Sequence, residues 1–244
     1  MTGGWLKKTS FNLFKKAIEK YRLLDDGEKV LISVSGGIDS LVLTHLLNSY
    51  NLRRNKKWNI LAVHIDHGFP KRNTLRLIKF FDMMKINYLI SKIDVPKKLV
   101  QIAKAGERIK SCFFCSRERR KRLLEIADKQ GIRKIALAHH LEDVNETFFL
   151  NLMFVSESKT FVPKQDFFQG RFHIIRPLYY FDKELILKYA KTYGLPTIKN
   201  KCPYEKDSER NRIRGFLKPL YAKDPRIKTN IFSGIKNIKL EYLP

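Results

Sequence analysis

The stretch 29-KVLISVSGGIDSLVLTHLLNSY-50 decides the fold. Its first six residues form an apolar, partly β-branched run with the length of a buried strand. Its last ten residues carry a helical pattern, and the two parts are joined directly by 35-SGGIDS-40. A strand that passes through a short glycine turn into a helix begins a βαβ unit. The stretch therefore predicts an α/β sheet with a ligand-binding turn at the carboxyl end of its first strand.

This turn carries the residues that a phosphate site needs. Gly36 and Gly37 let the backbone approach a ligand closely, and the amides that follow open a helix whose positive end favours anions. Ser35 and Ser40 add hydroxyl donors, and Asp39 is placed to hold a cation that bridges phosphates. An ordinary βα turn would explain the glycine pair but not the polar residues around it. Because neither GxxxxGK[ST] nor GxGxxG fits the turn, it is not one of those nucleotide-binding loops.

Strand-like and helical patterns alternate on either side of the turn. They predict a doubly wound, mostly parallel five-stranded sheet with helices on both faces. The expected domains are an N-terminal helical segment (1–24), a catalytic domain (25–195) and a basic extension (196–244). The predicted strands are 29–34, 59–65, 87–93, 133–138 and 172–177, and the predicted helices are 10–24, 41–50, 74–84, 112–130, 141–154 and 182–193.

The chain is strongly basic. Its 244 residues include 49 Lys and Arg against 24 Asp and Glu, which gives a formal net charge of +25. A basic face is often only solvated, yet an excess this large attracts polyanions, so we expect a nucleic acid partner. The longest apolar runs are strand-sized and the N-terminus lacks the apolar core of a signal peptide. We therefore expect a soluble, cytoplasmic protein with no membrane partner.

A second polar cluster, 139-HHLEDVNETFFLN-151, follows the predicted strand 133–138. His140, Asp143 and Glu146 are spaced three apart, so they share one helical face near its N-terminus. Helix capping would explain the acidic residues but not the doubled histidine. If the sheet reverses between the two strands, this cluster adjoins the glycine turn, and we expect it to take part in function.

Two of the three cysteines form the pair Cys112 and Cys115, at the start of a predicted helix. At this spacing both thiols lie on one helical face, near a positive dipole and basic neighbours that favour thiolates, and Arg119 shares that face. The third, Cys202, lies in the extension. Three thiolates suit an iron–sulfur cluster with one open iron, zinc completed by a histidine, or a persulfide relay.

These blocks resemble a known superfamily. The turn at 35–40 resembles the PP-loop of ATP pyrophosphatases, which cleave ATP to AMP and pyrophosphate by adenylating an oxygen of the substrate. The block HHxxDxxET at 139–147 resembles PP-loop enzymes that modify C2 of pyrimidines in tRNA. CxxCSRxRR at 112–120, IRPL at 175–178 and Cys202 agree in order, so the chain resembles the tRNA 2-thiocytidine synthetase family in its shorter form.

The resemblance implies an adenine nucleotide alpha-hydrolase-like fold and ATP-dependent thiolation of a tRNA pyrimidine, cytidine in the anticodon loop above all. It implies ATP and Mg²⁺ on the glycine turn, with Asp39 at the metal. Cys112, Cys115 and Cys202 would bind a [4Fe-4S] cluster whose free iron holds the sulfide to be transferred. The implied catalytic residues are Asp39, Arg119, His140 and Asp143, and the implied ATP-binding residues are Ser35, Gly36, Gly37, Ile38, Asp39, Ser40, Val63, His64, Ile65, His139 and Asp143.

The implied partners are tRNA, ATP and a sulfur donor, either sulfide or a cysteine desulfurase; a homodimer stays open. Three departures loosen the assignment to cytidine. Ile38 replaces a usual Lys, 64-HIDHG-68 is similar to lysidine synthetases, and Glu205 stands where a companion cysteine is common. The alternatives are lysidine-type amination, 2-thiouridine synthesis and a non-enzymatic RNA-binding module. The cysteine triplet argues against the first, the lack of further cysteines against the second, and the intact Asp39 and Ser40 against the third.

Overall fold

The glycine turn leaves the strand at the centre of the sheet. The computed structural model describes residues 2–69, 74–104, 111–196, 198, 209–239 and 241. Strand β1 (Lys29–Ser33) pairs in parallel with β2 (Asn59–Asp66) on one side and with β4 (Lys134–Ala136) on the other. The remaining strands are β3 (Asn87–Lys92), β5 (Lys164–Phe167) and β6 (Phe172–Ile175), and the order across the sheet is β3-β2-β1-β4-β6-β5.

Helices cover both faces of this sheet. Along β1 the side chains alternate: Val30 and Ile32 join one buried cluster and Leu31 joins the other, as the two-residue period of a strand requires. The cluster on the Leu31 face includes Leu123 of the fifth helix. The helices are α1 (Thr2–Lys20), α2 (Ile38–Arg54), α3 (Thr74–Met84), α4 (Val95–Lys104), α5 (Ser111–Lys129), α6 (Leu141–Phe154), α7 (Lys183–Thr192), α8 (Glu209–Lys223) and α9 (Arg226–Gly234).

The sheet has six strands, so the predicted count of five was wrong. All five predicted strands are present, and the sixth is β5, which pairs antiparallel with β6 at the edge. Its sequence, KQDF, is short and mostly polar. None of its residues is buried, so a strand at the edge of the sheet can carry polar side chains. The prediction of a mostly parallel sheet with helices on both faces is confirmed.

Four helices also differ from the predicted ones, among them α8 and α9, which have no predicted counterpart. Helix α1 is not short: it begins at Thr2 rather than residue 10, in a region where two consecutive glycines disfavour a helix prediction. Helix α4 has no counterpart in the predicted set, although its amphipathic sequence packs Val95 into a small buried cluster beside α5. Among the described residues, no helix is long and apolar enough to cross a bilayer.

The sheet reverses direction between β1 and β4. From β1 the chain moves outward to β2 and β3, returns to β4 on the other side of β1, and continues to β6. The turns that follow β1 and β4 therefore flank one crevice at the carboxyl edge, where ligands bind in open α/β sheets. The condition set for the second polar cluster is thus met, because the segment at 139–143 adjoins the glycine turn.

Candidate active site

The glycine turn is held in shape by its own serines. Gly36 has a φ of 88°, a left-handed conformation that glycine adopts without strain. The amide of Gly37 donates to Ser35 Oγ (3.2 Å), and Ser40 Oγ donates to the carbonyl of Gly37 (2.7 Å). Gly37 caps α2 without a side-chain hydrogen bond. The first amides of α2 therefore face the crevice with the partial positive charge that attracts phosphates.

Asp39 is the carboxylate of the glycine turn itself, and it lies in the first turn of α2. Lys183 Nζ, from the first residue of α7, donates to Asp39 Oδ1 at 2.5 Å. On its other side, Asp39 Oδ2 lies 4.0 Å from His140 Nε2. The side chain of Lys183 remains 40% exposed, so it can reach a ligand on the loop as well as Asp39.

The start of α6 brings His140 and two carboxylates together. His140 is the N-cap of this helix, and its amide donates to Asp143 Oδ2 at 3.0 Å. His140 Nδ1 donates to Glu142 Oε2 (3.0 Å), and its Nε2 lies 3.5 Å from Asp143 Oδ2. Capping thus accounts for Asp143 in part, while the buried imidazole bridges the α6 carboxylates and Asp39.

Glu142 is the most strongly paired acid of the group. It accepts hydrogen bonds from His140 and from the backbone amide of Lys183, and it forms an ion pair with Lys228 Nζ at 2.9 Å. Burial alone would raise its pKa, but the bonds to His140 and Lys183 outweigh burial and lower the pKa to about 2. Glu142 therefore stays ionised and fixes α6, α7 and α9 to one another.

His140 and Asp143 each stabilise the charged form of the other. Burial lowers the pKa of His140, but the bond to Glu142 and the charges of Asp143 and Asp39 reverse the effect, so the net shift is upward. Burial raises the pKa of Asp143, but the charge and backbone amide of His140 and the charge of Arg210 more than offset it, so its net shift is downward. A cationic imidazole beside ionised acids can hold or release a proton at the crevice.

His139 behaves in the opposite way to His140. Its Nδ1 accepts a hydrogen bond from Arg176 Nε (3.2 Å), and its ring stacks on Phe161 with centroids 4.3 Å apart. Burial lowers the pKa of His139 to about 3, and Arg176, Arg210 and Arg119 add to the lowering. His139 is therefore neutral at physiological pH, with its proton on Nε2.

Helix α8 supplies cations that pair with the acids of α6. Arg214 binds Glu146 through two parallel bonds, Nε to Oε1 (2.8 Å) and Nη2 to Oε2 (3.0 Å). One turn earlier, Arg210 donates to Thr147 Oγ1 (2.8 Å) and lies 3.6 Å from Asp143 Oδ1. The α6 face predicted to be functional is therefore covered by the basic extension, which completes this side of the crevice.

The second strand borders the glycine turn. His64 is buried, and its Nδ1 donates to the carbonyl of Val34, the residue before the turn, at 2.7 Å. The amide of Val34 in turn donates to the carbonyl of Val63 (2.8 Å), while Ile65 packs in the core. His64 thus fixes the turn to β2. The expectation that Val63, His64 and Ile65 bind ATP stays a prediction.

The cysteine pair lies at the start of α5. Cys112 is exposed and Cys115 half-buried, in the first turn of a helix that runs from the carboxyl edge of the sheet back to β4. Burial lowers the pKa of Arg119; Cys115 raises it, and Arg120 and Arg210 lower it further. Cys115 packs against a small cluster with Phe69 and Val95, which follow the carboxyl ends of β2 and β3, so the cysteine pair lies at that edge of the sheet. Cys202 lies outside the described residues, and no group of three metal ligands occurs within them.

Sequence reasoning missed several cations of this site. Lys183 carried no motif of its own, although it follows the IRPL block by five residues. Arg210, Arg214 and Lys228 were expected only as part of a generally basic tail. Glu142 was interpreted as a cap, and its role as an anchor between three helices depends on residues distant in sequence. The acidic and basic partners of a site are matched only by the tertiary fold.

The crevice and the match to a family model place the chain among the PP-loop proteins. A model of the PP-loop domain matches residues 7–221, which confirms the reading of the glycine turn as a PP-loop that binds ATP. In structure, the chain is similar to the U34-tRNA thiolase NcsA from Methanococcus maripaludis, solved with its [4Fe-4S] cluster. The TM-score is 0.77 at 24% identity, over 98% of this chain and 80% of that one. The fold is thus the α/β adenine nucleotide alpha-hydrolase-like fold.

Closer relatives narrow the class to one family. A tRNA-cytidine(32) 2-sulfurtransferase of Coxiella burnetii (strain CbuG_Q212) is 32% identical over 96% of this chain and 91% of the relative. One from Alkalilimnicola ehrlichii is 32% identical over 98% of this chain and 76% of the relative. The chain belongs to the tRNA-cytidine(32) 2-sulfurtransferase family, which confirms the resemblance seen in the sequence.

Proposed function

We propose that the protein catalyses ATP-dependent 2-thiolation of cytidine 32 in tRNA. The observation that carries this proposal is the meeting of three elements at one edge of the sheet: the PP-loop, the acidic start of α6 and the cysteine-bearing start of α5. The PP-loop accounts for ATP, the cysteines for a sulfur carrier, and the basic surroundings for RNA. The family supports cytidine 32 as the target, because its curated members carry that name.

ATP binding falls to the PP-loop and the groups beside it. The amides that open α2 and the hydroxyls of Ser35 and Ser40 hold the phosphates. Asp39 would hold Mg²⁺, for which a partly exposed carboxylate beside a phosphate site is a suitable donor. Lys183, already 2.5 Å from Asp39, adds a positive charge for the pyrophosphate that leaves.

The first chemical step attaches AMP to the substrate. The C2 oxygen of cytidine attacks the α-phosphate, a P–O bond to pyrophosphate breaks, and the base becomes an O-adenylated species. This step is needed because an oxo group is a poor leaving group, whereas AMP departs readily. Arg119 and His140 stabilise the charge that develops on the phosphate, and Asp143 orients both His140 and the nucleotide.

The second step replaces oxygen by sulfur. Cys112 and Cys115 suit a [4Fe-4S] cluster in donor chemistry, since they are near-neighbour thiols at a helix start beside cationic side chains. We assign Cys202 as the third ligand. A cluster bound there would supply the sulfur nucleophile for C2, with AMP as the leaving group. Sulfide or a cysteine desulfurase as donor, a homodimer, a cytoplasmic location and the three-part division of the chain stay predictions.

Metal analysis with one substitution tests this assignment. The protein purified without oxygen should contain about four iron and four sulfide per chain and no stoichiometric zinc. Cys202→Ala should lose the iron and thiolation but keep ATP binding. Asp39→Asn is the complementary variant: it should keep the iron and lose adenylation. Stoichiometric zinc without iron in the wild-type protein would contradict the cluster assignment.

A further inference from the structure

Three lysines converge on one aromatic surface outside the PP-loop crevice. Lys16 and Lys20 lie on α1, and Lys236 follows the end of α9. We call them the lysine triad. All three are exposed, and they come from chain segments more than two hundred residues apart. Their proximity is therefore a product of the fold and not of a local run of basic residues.

Four aromatic rings lie beneath the triad and hold it in place. Lys236 Nζ lies 4.1 Å from the centroid of Phe232 and 4.5 Å from that of Tyr179. Lys16 and Lys236 share the ring of Tyr180, at 4.7 and 5.5 Å. Lys20 lies over Tyr21, which donates to or accepts from Tyr180 through their hydroxyls at 2.8 Å. Cation–π contacts fix the ammonium groups without neutralising them.

The triad has no acidic partner in the part of the chain that the structure describes. Four cations of the crevice differ, because Lys183, Lys228, Arg210 and Arg214 each pair with a carboxylate. Burial lowers the pKa of Lys236 to about 8, and Lys20 and Lys16 add to the lowering. Helix C-termini stabilise such charges in part, yet the three ammonium groups still repel one another. An anion from outside would remove this repulsion.

The triad adjoins the candidate active site. Tyr179 and Tyr180 are followed by Phe181, whose carbonyl accepts the amide of Leu141 at 2.8 Å. Leu141 comes directly after His140, and two residues after Phe181 is Lys183, the partner of Asp39. Tyr179 and Phe232 also pack against Leu141 and Val144 of α6, so this surface lies within reach of a polymer whose reacting base occupies the crevice.

We propose that the lysine triad binds the phosphate backbone of the tRNA substrate next to the modified nucleotide. The inference rests on the proposed function. A polyanion fits better than a single small anion, because the three ammonium groups are spread over an open ring surface rather than directed into one pocket. RNA fits the adjoining site and the net charge of +25.

The test measures binding of unmodified tRNA at several salt concentrations. The variant is Lys16→Gln/Lys20→Gln/Lys236→Gln. Its matched control, Lys79→Gln/Lys85→Gln/Lys129→Gln, removes three exposed lysines of α3, of the turn before β3 and of α5. Loss of three phosphate contacts should weaken binding roughly tenfold or more and reduce the slope of log K against log salt by about two. The control should bind within about twofold of wild type, because the charges of exposed lysines far from the RNA are screened by salt.

Two further results keep the outcome unambiguous. The variant Lys16→Arg/Lys20→Arg/Lys236→Arg keeps the charges and should keep affinity and salt slope, and circular dichroism should show all variants folded. Wild-type affinity and slope in the glutamine variant would overturn the inference and leave the proposed function untouched. Failure of the wild-type protein itself to bind tRNA would instead overturn the proposed function.

Discussion

Lys183 is the side chain in closest contact with the carboxylate of the PP-loop. We expect Lys183→Ala to lower kcat/KM for ATP-dependent pyrophosphate release, because a cation that contacts the phosphates is lost. Charge-assisted hydrogen bonds contribute about 1.5–3 kcal/mol, so the decrease should be roughly tenfold to a hundredfold. Lys188→Ala is the control: Lys188 lies on the same helix but pairs with Glu184 at the surface. Equal kcat/KM in wild type and Lys183→Ala would remove Lys183 from the ATP site.

Glu142 gives a residue-level prediction about pH. Its pKa is lowered from 4.5 to about 2, so the unfolded chain binds a proton at higher pH than the folded one. Its contribution to stability is therefore complete above pH 4.5 and lost as the pH falls toward 2. Glu142→Gln should lower the free energy of unfolding by on the order of 3 kcal/mol at pH 7.

Urea unfolding at pH 7 and pH 3 checks this prediction. The gap between wild type and Glu142→Gln should narrow at the lower pH. Glu184→Gln, which removes a fully exposed carboxylate from a neighbouring helix, should leave stability nearly unchanged. A gap between wild type and Glu142→Gln that stays constant with pH would show that the carboxylate charge does not stabilise the fold.

Single residues also show how much of the candidate site could be predicted from the sequence. The spacing of Ser35, Asp39, His140 and Asp143 follows from local periodicity, and the structure brings all four to one crevice. The opposite behaviour of His139 and His140 could not be predicted. It depends on Arg176 and Phe161 around one ring and on three carboxylates around the other.

At the scale of elements, the pairing of α6 with α8 is the contact that sequence reasoning missed. The Glu146 side chain is only 5% exposed, and Arg214 is its bidentate partner. Arg214→Ala should therefore destabilise the fold by about 1–3 kcal/mol, since it leaves a buried acceptor unpaired. Thermal or urea unfolding measures this change.

Two controls separate the ion pair from general effects on α8. Arg212→Ala removes an exposed neighbour that pairs with Glu209, and such pairs contribute less than about 1 kcal/mol. Glu146→Gln/Arg214→Ala should recover part of the lost stability, because the buried charge is removed as well. An Arg214→Ala variant as stable as Arg212→Ala would mean that α8 docks through Ile213 and Leu217 alone.

Elements with strong periodicity were predicted closely, and those without it were not. Helices α3 and α6 match their predicted bounds, because each has a complete amphipathic or apolar pattern. Strand β5 was missed because an edge strand of four mostly polar residues has no alternation to detect. The arrangement of the tail was equally hidden, since its helices are ordered by contacts with α6 rather than by their own pattern.

At the scale of the whole molecule, the positive side chains described above fall into two groups, those that pair with acids and those that do not. Around the crevice four cations pair with acids and shape the site, whereas the lysine triad has aromatic rings beneath it. The net charge predicted a polyanion partner, but only the fold separates structural cations from those available to RNA.

Nucleoside analysis of the reaction product tests the central claim most directly. The anaerobically purified protein is incubated with ATP, sulfide and unmodified tRNA, and the digested tRNA is examined by mass spectrometry. We predict 2-thiocytidine at position 32, dependent on ATP and absent with Asp39→Asn. Lysidine, 2-thiouridine or unmodified tRNA from the wild-type protein would contradict the account.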